Sequence, residues 1–129
     1  MDFKYSIKSN KNYKDTLLAL EASLAEHKFG VLWKLDIKDQ LTKKGLDTDI
    51  EFNIFEVCNA AKAKEVLEKN ILVGYFLPCK IVIYNDCGDT TVGMIRTTTI
   101  VNLLNDERLI EFAKEVETIL ISAIESAAK

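Results

Sequence analysis

Apolar and polar residues alternate at the start of the chain, with Phe3, Tyr5 and Ile7 set against Lys4, Ser6 and Lys8. A period of two sends side chains to opposite faces of an extended segment, so a half-buried first strand is expected. The period then changes. Tyr13, Leu17, Leu20 and Leu24 recur at helical spacing and predict an amphipathic helix over 12–27, with Ser9, Asn10 and Asn12 as candidate N-caps. After Phe29-Gly30 the stretch VLWKLDI alternates again. Val31, Trp33, Leu35 and Ile37 fall on one face, expected to be buried, and Leu32, Lys34 and Asp36 fall on the other. A short helix over 38–44 capped by Gly45 comes next, then a strand over 50–58. Asn59 is placed to cap a helix over 60–69 in which Ala63, Val66 and Leu67 face inward.

The stretch GYFLPCKIVIY, residues 74–84, predicts a fourth strand that is apolar on both faces. Tyr75, Leu77, Ile81 and Ile83 line one face, and Phe76, Val82 and Tyr84 the other. It also holds the chain's only proline, Pro78. Proline cannot donate a ladder hydrogen bond, so a kink or break is expected there, leaving room for a ligand or another backbone. An antiparallel strand with one wet face alternates more cleanly than this. The second face therefore needs a cover, either the inserted short helices or another copy of the chain. Asp86-Cys87-Gly88-Asp89 predicts a hairpin turn into a fifth strand over 90–97. Asn105 then caps a long helix to about residue 127, with Asp106 and Glu107 complementing its dipole.

The order is strand, helix, four strands, helix. It implies one α+β domain over 1–129: a curved antiparallel five-stranded sheet in β-α-β(4)-α order. Consecutive strands form a meander, the first strand closes the free edge, and two long helices cover one face, with short helices inserted between strands.

Composition narrows the partners. A net charge of −3 argues against nucleic acid and anionic membrane surfaces as partners. Lys4, Lys8, Lys11 and Lys14 are the nearest thing to a basic patch, with no aromatic platform among arginines, and read as a solvated face. No apolar run has the length of a membrane span. Three cysteines are too few for a disulfide scaffold and suggest free thiols in a reducing, cytoplasmic setting.

HKFGVLWKLDI, FEVCNAAKAKEVL, VGYFLPCKIVIYND and LLNDERLIEFAKEVE together resemble the domain of unknown function family 302 over nearly the whole chain. Phe29-Gly30-Val31-Leu32, Cys58-Asn59 and Leu77-Pro78-Cys79 carry the resemblance most specifically. It implies a β-α-β(4)-α fold similar to half of the TATA-binding-protein fold, often assembled as a homodimer, with no settled activity. The family pattern has proline after Cys-Asn, where this chain has Ala60, a residue that also suits a first helical turn.

Candidate chemistry centres on two cysteines. Cys58 ends the third strand, Cys79 lies early in the fourth, and antiparallel pairing brings those positions to one corner. Cys58 also precedes a helix, whose N-terminal dipole can lower a thiol pKa. Both residues read equally as small buried hydrophobes. A zinc site through Cys58, Cys79 and Cys87 fails on distance, since eight strand residues separate the last two by about 26 Å. The single histidine, His27, reads as a helix C-terminal residue. Asp36, with Glu56 and Lys80, is a candidate polar cluster on the sheet, and an ordinary exposed carboxylate otherwise. No glycine loop for phosphate is present, and no metal or cofactor is called for.

Two functions follow. One is a dimeric small-ligand-binding or regulatory module with a pocket at Cys58, Asn59, Pro78, Cys79 and Asp36. The other is a thiol-dependent redox or sulfur-handling enzyme using Cys58 or Cys79.

Overall fold

A computed structural model describes residues 2–129. Its elements run β1 (Lys4–Lys8), α1 (Tyr13–Glu26), β2 (Gly30–Asp36), α2 (Ile37–Lys43), β3 (Phe52–Cys58), α3 (Ala60–Lys69), β4 (Cys79–Asp86), β5 (Asp89–Ile95), α4 (Thr97–Asn102) and α5 (Ile110–Ala128). Short 3-10 segments occupy Ile71–Phe76 and Glu107–Leu109. The sheet order is β1-β5-β4-β3-β2, and every pairing is antiparallel. This is the expected α+β meander with its first strand closing the free edge.

Local chemistry sets the boundaries. Asn12 caps α1, its side chain accepting from the Asp15 amide at 2.8 Å. Gly45 takes a φ of +75° just past α2, a conformation that costs glycine no Cβ clash. Cys87 and Gly88 both have positive φ between the paired Asp86 and Asp89, as a tight hairpin turn requires. Gly93 serves another purpose. A Cβ there would lie 2.9 Å from the Tyr5 carbonyl oxygen and 3.0 Å from the Ser6 Cβ, so β1 approaches β5 more closely than any side chain allows.

One face of the sheet is covered. Phe55, Val57, Ile81, Ile83, Val92 and Met94 pack beneath α1 and α5 and form the core with Leu20, Leu24, Leu120 and Ile124. The two long helices approach closely through small residues, and the Ser23 hydroxyl donates to the Ala123 carbonyl at 2.7 Å. The opposite face carries Ile54, Val82 and the stacked rings of Phe52 and Tyr84, with centroids 5.4 Å apart. The short α2 contacts β2 and β3 at their shared corner.

Three expectations need correction. Residues 74–78 are not strand: a 3-10 segment ends at Phe76, the Leu77–Pro78 peptide is cis, and β4 begins at Cys79. The break precedes the ladder and does not interrupt it, so Tyr75, Phe76 and Leu77 never belong to a sheet face. In β2 the register slips between Val31 and Trp33, leaving Leu32 as an extra residue. Val31 pairs with Val57 but Trp33 pairs with Glu56, so Trp33 turns to the open face and stays 51% exposed. Finally, Asp106, and not Asn105, caps the chain's last helical stretch. Its side chain accepts from the Arg108 amide at 3.0 Å, while Asn105 takes a positive φ before it.

Candidate functional site

The end of β3 and the start of β4 form one wall of the site. Val57 pairs with Cys79 and Glu56 with Lys80. The chain leaves β3 directly into α3 because Asn59 caps that helix, accepting from the Lys62 amide at 3.0 Å. The Asn59 side-chain amide also donates to the Lys28 carbonyl at 3.0 Å, which ties the cap to the turn before β2. Both ends of the Asn59 side chain thus help to hold the corner together.

Polar clamps hold the elements over this corner. Asn70 caps the 3-10 segment Ile71–Phe76, and its side-chain amide donates to Asp106 at 3.1 Å. Arg108 grips the same Asp106 carboxylate at 2.7 Å, and these bonds hold it below the usual carboxylate range. On the other side, α4 is fastened by Glu117, which accepts from the Thr98 amide at 3.1 Å and hydroxyl at 2.9 Å, and lies 3.5 Å from Arg96.

Beneath these short elements lies a cavity of about 480 Å³. Its inner wall is apolar, built from Val57, Val66, Val73, Val101, Phe112 and Leu120. Pro78, Lys80, Glu56 and Ile95 line it at the strand ends. The volume lies within the range common for small-molecule sites.

Four of the five expected site residues, Cys58, Asn59, Pro78 and Cys79, line this cavity. Asp36 does not. It caps α2, accepting from the Asp39 amide at 3.0 Å, and pairs with Asn53 at the far end of β2 from Gly30, the partner of Cys58. That places it about 20 Å along the strand from the thiol corner. The cluster of Asp36 with Glu56 and Lys80 therefore reduces to the Glu56–Lys80 cross-strand pair.

The two thiols are neighbours on adjacent strands, with different prospects. Burial pushes the Cys79 thiol up to about 11, and the nearby Cys58 adds to the shift. Cys79 is therefore a neutral thiol at physiological pH and a poor nucleophile. Cys87 is exposed on the hairpin turn at the other end of β4. His27 caps α1, donating from Nδ1 to the Ser23 carbonyl at 2.7 Å, and lines no part of the cavity. Among the described residues no group of three or more His, Cys, Asp or Glu is placed to hold a metal ion. None of their helices is long and apolar enough to cross a membrane.

Sequence reasoning missed the contribution of α4, whose Thr97, Thr99, Ile100 and Val101 line the cavity. TTTIV is β-branched throughout and favours strand. Its N-cap position holds Arg96, which makes no capping bond, so the usual helix signal is missing. Tertiary anchoring by Glu117 replaces it.

The profile of the family described as "Domain of unknown function DUF302" matches residues 5–127. A solved structure described as an uncharacterized conserved protein DUF302 from Bacillus stearothermophilus superposes with a TM-score of 0.95. It shares 39% identity, covering 98% of this chain and 99% of that one. No curated protein matches.

Proposed function

We propose, for a chain that belongs to the DUF302 family, a binding role without catalysis: a cytoplasmic, homodimeric module that takes a small, largely apolar molecule into the cavity beside Cys58, Asn59, Pro78 and Cys79. One observation carries the reading. The inner wall of the cavity is apolar, and Asn59 and Lys62 are already engaged with the Lys28 carbonyl and Glu115. Such a wall rewards the burial of apolar surface, and Glu56 is the only carboxylate among the lining residues, with no histidine beside it. The high thiol pKa of Cys79 weighs against the thiol-enzyme reading, which then rests on Cys58 alone.

Dimer formation is supported by the open sheet face. Ile54, Val82 and the Phe52–Tyr84 stack form an apolar band there, next to the exposed Trp33. Bands of this kind are commonly covered by a symmetric second copy.

Native mass spectrometry of the purified protein tests the first part: an apolar small molecule is expected to co-purify, and to be absent from Ala63→Phe, which fills the cavity from α3. Retention of the same molecule by that variant would remove the cavity as its site. Sedimentation velocity tests the second part. A dimer at micromolar concentration, converted to monomer by Val82→Glu, is expected; a monomeric parent protein ends the dimer reading.

A further inference from the structure

The cavity and the open face of the sheet share a wall. Val57, Cys79 and Met94 line the cavity from the core face of β3, β4 and β5. Glu56, Lys80 and Ile95, their neighbours along the same strands, line it as well, although alternation turns them to the open face. The cavity therefore reaches both faces at this end of the sheet, and whatever covers the open face here also meets the cavity.

The register arranges the open face in rows. The row at the cavity runs Ile95, Lys80, Glu56, Trp33: Lys80 pairs with Glu56, Glu56 with Trp33, and Ile95 stands one step past the Ile81–Met94 pair. It reads apolar, cation, anion, apolar. Ile95 and Trp33 are exposed, and among the described residues neither Glu56 nor Lys80 takes part in an ion pair. The next row runs Gly93, Val82, Ile54, Leu35. A twofold axis laid along the strands, between β3 and β4, reverses each row in the second copy. Ile95 then faces the partner's Trp33, and Lys80 faces the partner's Glu56. Val82 faces the partner's Ile54, and Gly93, which presents no side chain, leaves room for the partner's Leu35. The first row thus meets its complement in charge and the second in volume. The strands of the two copies lie aligned, about 10 Å apart, as in stacked sheets generally.

Resting on the binding role and the second copy proposed above, we infer that the two copies meet about this axis and that the partner's Glu56, seated against Lys80, completes the cavity wall. Each copy closes the other's cavity. The seated copy takes the flank at Lys80 and Ile95 out of water, so a bound apolar molecule buries more surface in the dimer than in the monomer. Ligand and partner then strengthen each other's binding by one common factor, as linkage requires.

Charge reversal, read by sedimentation velocity over a concentration series, tests the axis. Glu56→Lys and Lys80→Glu each set like charges opposite one another twice, and each is expected to weaken the dimer by about tenfold or more. The protein carrying both changes restores the two pairs, and so does an equimolar mixture of the single variants. Both are expected to dimerise about as tightly as the parent protein, and recovery on mixing shows in addition that each single variant is folded. A monomeric parent protein, reversals that leave the dimer unchanged, or losses that neither the double variant nor the mixture recovers, overturn the interface. The neutral fluorescent probe N-phenyl-1-naphthylamine tests the shared cavity. It is titrated into the parent protein above and below its dimer midpoint, and into Val82→Glu. Binding is expected to be about fivefold or more tighter in the dimer. Equal affinity in dimer and monomer overturns the shared cavity while leaving the binding role intact. No binding in either state overturns the binding role and the linkage together.

Discussion

Two halves of the helical layer cover the same sheet and do so differently. Over one half, α1 and α5 meet through Ser23 and Ala123, and Leu20, Leu24 and Ile124 have no exposed surface. Over the other, α3, a 3-10 segment and α4 arch across the strand ends, and a cavity remains beneath them. The first half is held by dense apolar contact. The second is held at its margins by Asn59, Asn70, Asp106 and Glu117, through hydrogen bonds that span the gap without filling it. Stability and binding are thus assigned to different ends of one core: a closely packed end can tolerate a hollow one, because short elements anchored by polar clamps need not bury much surface.

The sharpest way to break this comparison is a pair of truncations. Ile124→Ala in the dense half is expected to cost about 2–5 kcal/mol in urea unfolding, since it opens a void in a closely packed site. Val73→Ala, at the cavity wall, is expected to cost only about 1 kcal/mol, because its side chain already borders empty space. Equal losses would show that the two halves are packed alike.

A pH series sharpens the contrast from the cavity side. The folded pKa of Cys79 is raised, so its contribution is complete below the unfolded thiol pKa and is lost as pH climbs toward about 11. Stability is expected to fall by about 2–3 kcal/mol across that window, and Cys79→Ala is expected to flatten the slope. An unchanged slope in the variant would mean that Cys79 is not the group being titrated. Tyr5 and Tyr13, also raised chiefly by burial, supply a background fall that both proteins share.

The smallest effect is expected at the clamp. Asp106→Asn weakens the contacts to Arg108 and Asn70, so amide exchange over 71–76 should quicken while the global unfolding midpoint stays nearly fixed. Because the Asp106 pKa is depressed, its contribution is present above the unfolded carboxylate pKa and fades as pH falls through the acid range. Exchange in the parent protein should therefore approach that of the variant at low pH. A global loss of stability in the variant would instead tie the arch to the core.

Much of the sheet is legible in the sequence, because alternation is a strong signal where one face is dry. Tyr5 and Ile7 of β1 pack against the core as alternation predicts, and the hairpin around Gly88 forms where expected, whereas Phe3 lies before the strand and is 57% exposed. Asn12 and Asn59 are equally legible, since a capping side chain acts within three residues of itself. The misreadings share a cause. Residues 71–78 are apolar and β-prone, yet their backbone follows from Asn70 being held by an acidic group 36 positions away. Trp33 has the right spacing for the buried face, and a single extra residue in β2 reverses it. The thiol corner followed from strand order alone, whereas the α4 side of the cavity depends on Glu117, which no local pattern links to Thr98.

The missing side chain at position 93 has one more consequence. A methyl group there would force β1 away from its neighbour, because the obstructing atom is a Tyr5 backbone oxygen that no rotamer change can move. The peptide groups of β5 that β1 now satisfies would then lie bare along the sheet margin, a ready template for strand exchange or fibrous aggregation. One hydrogen atom in place of a methyl group keeps that margin sealed.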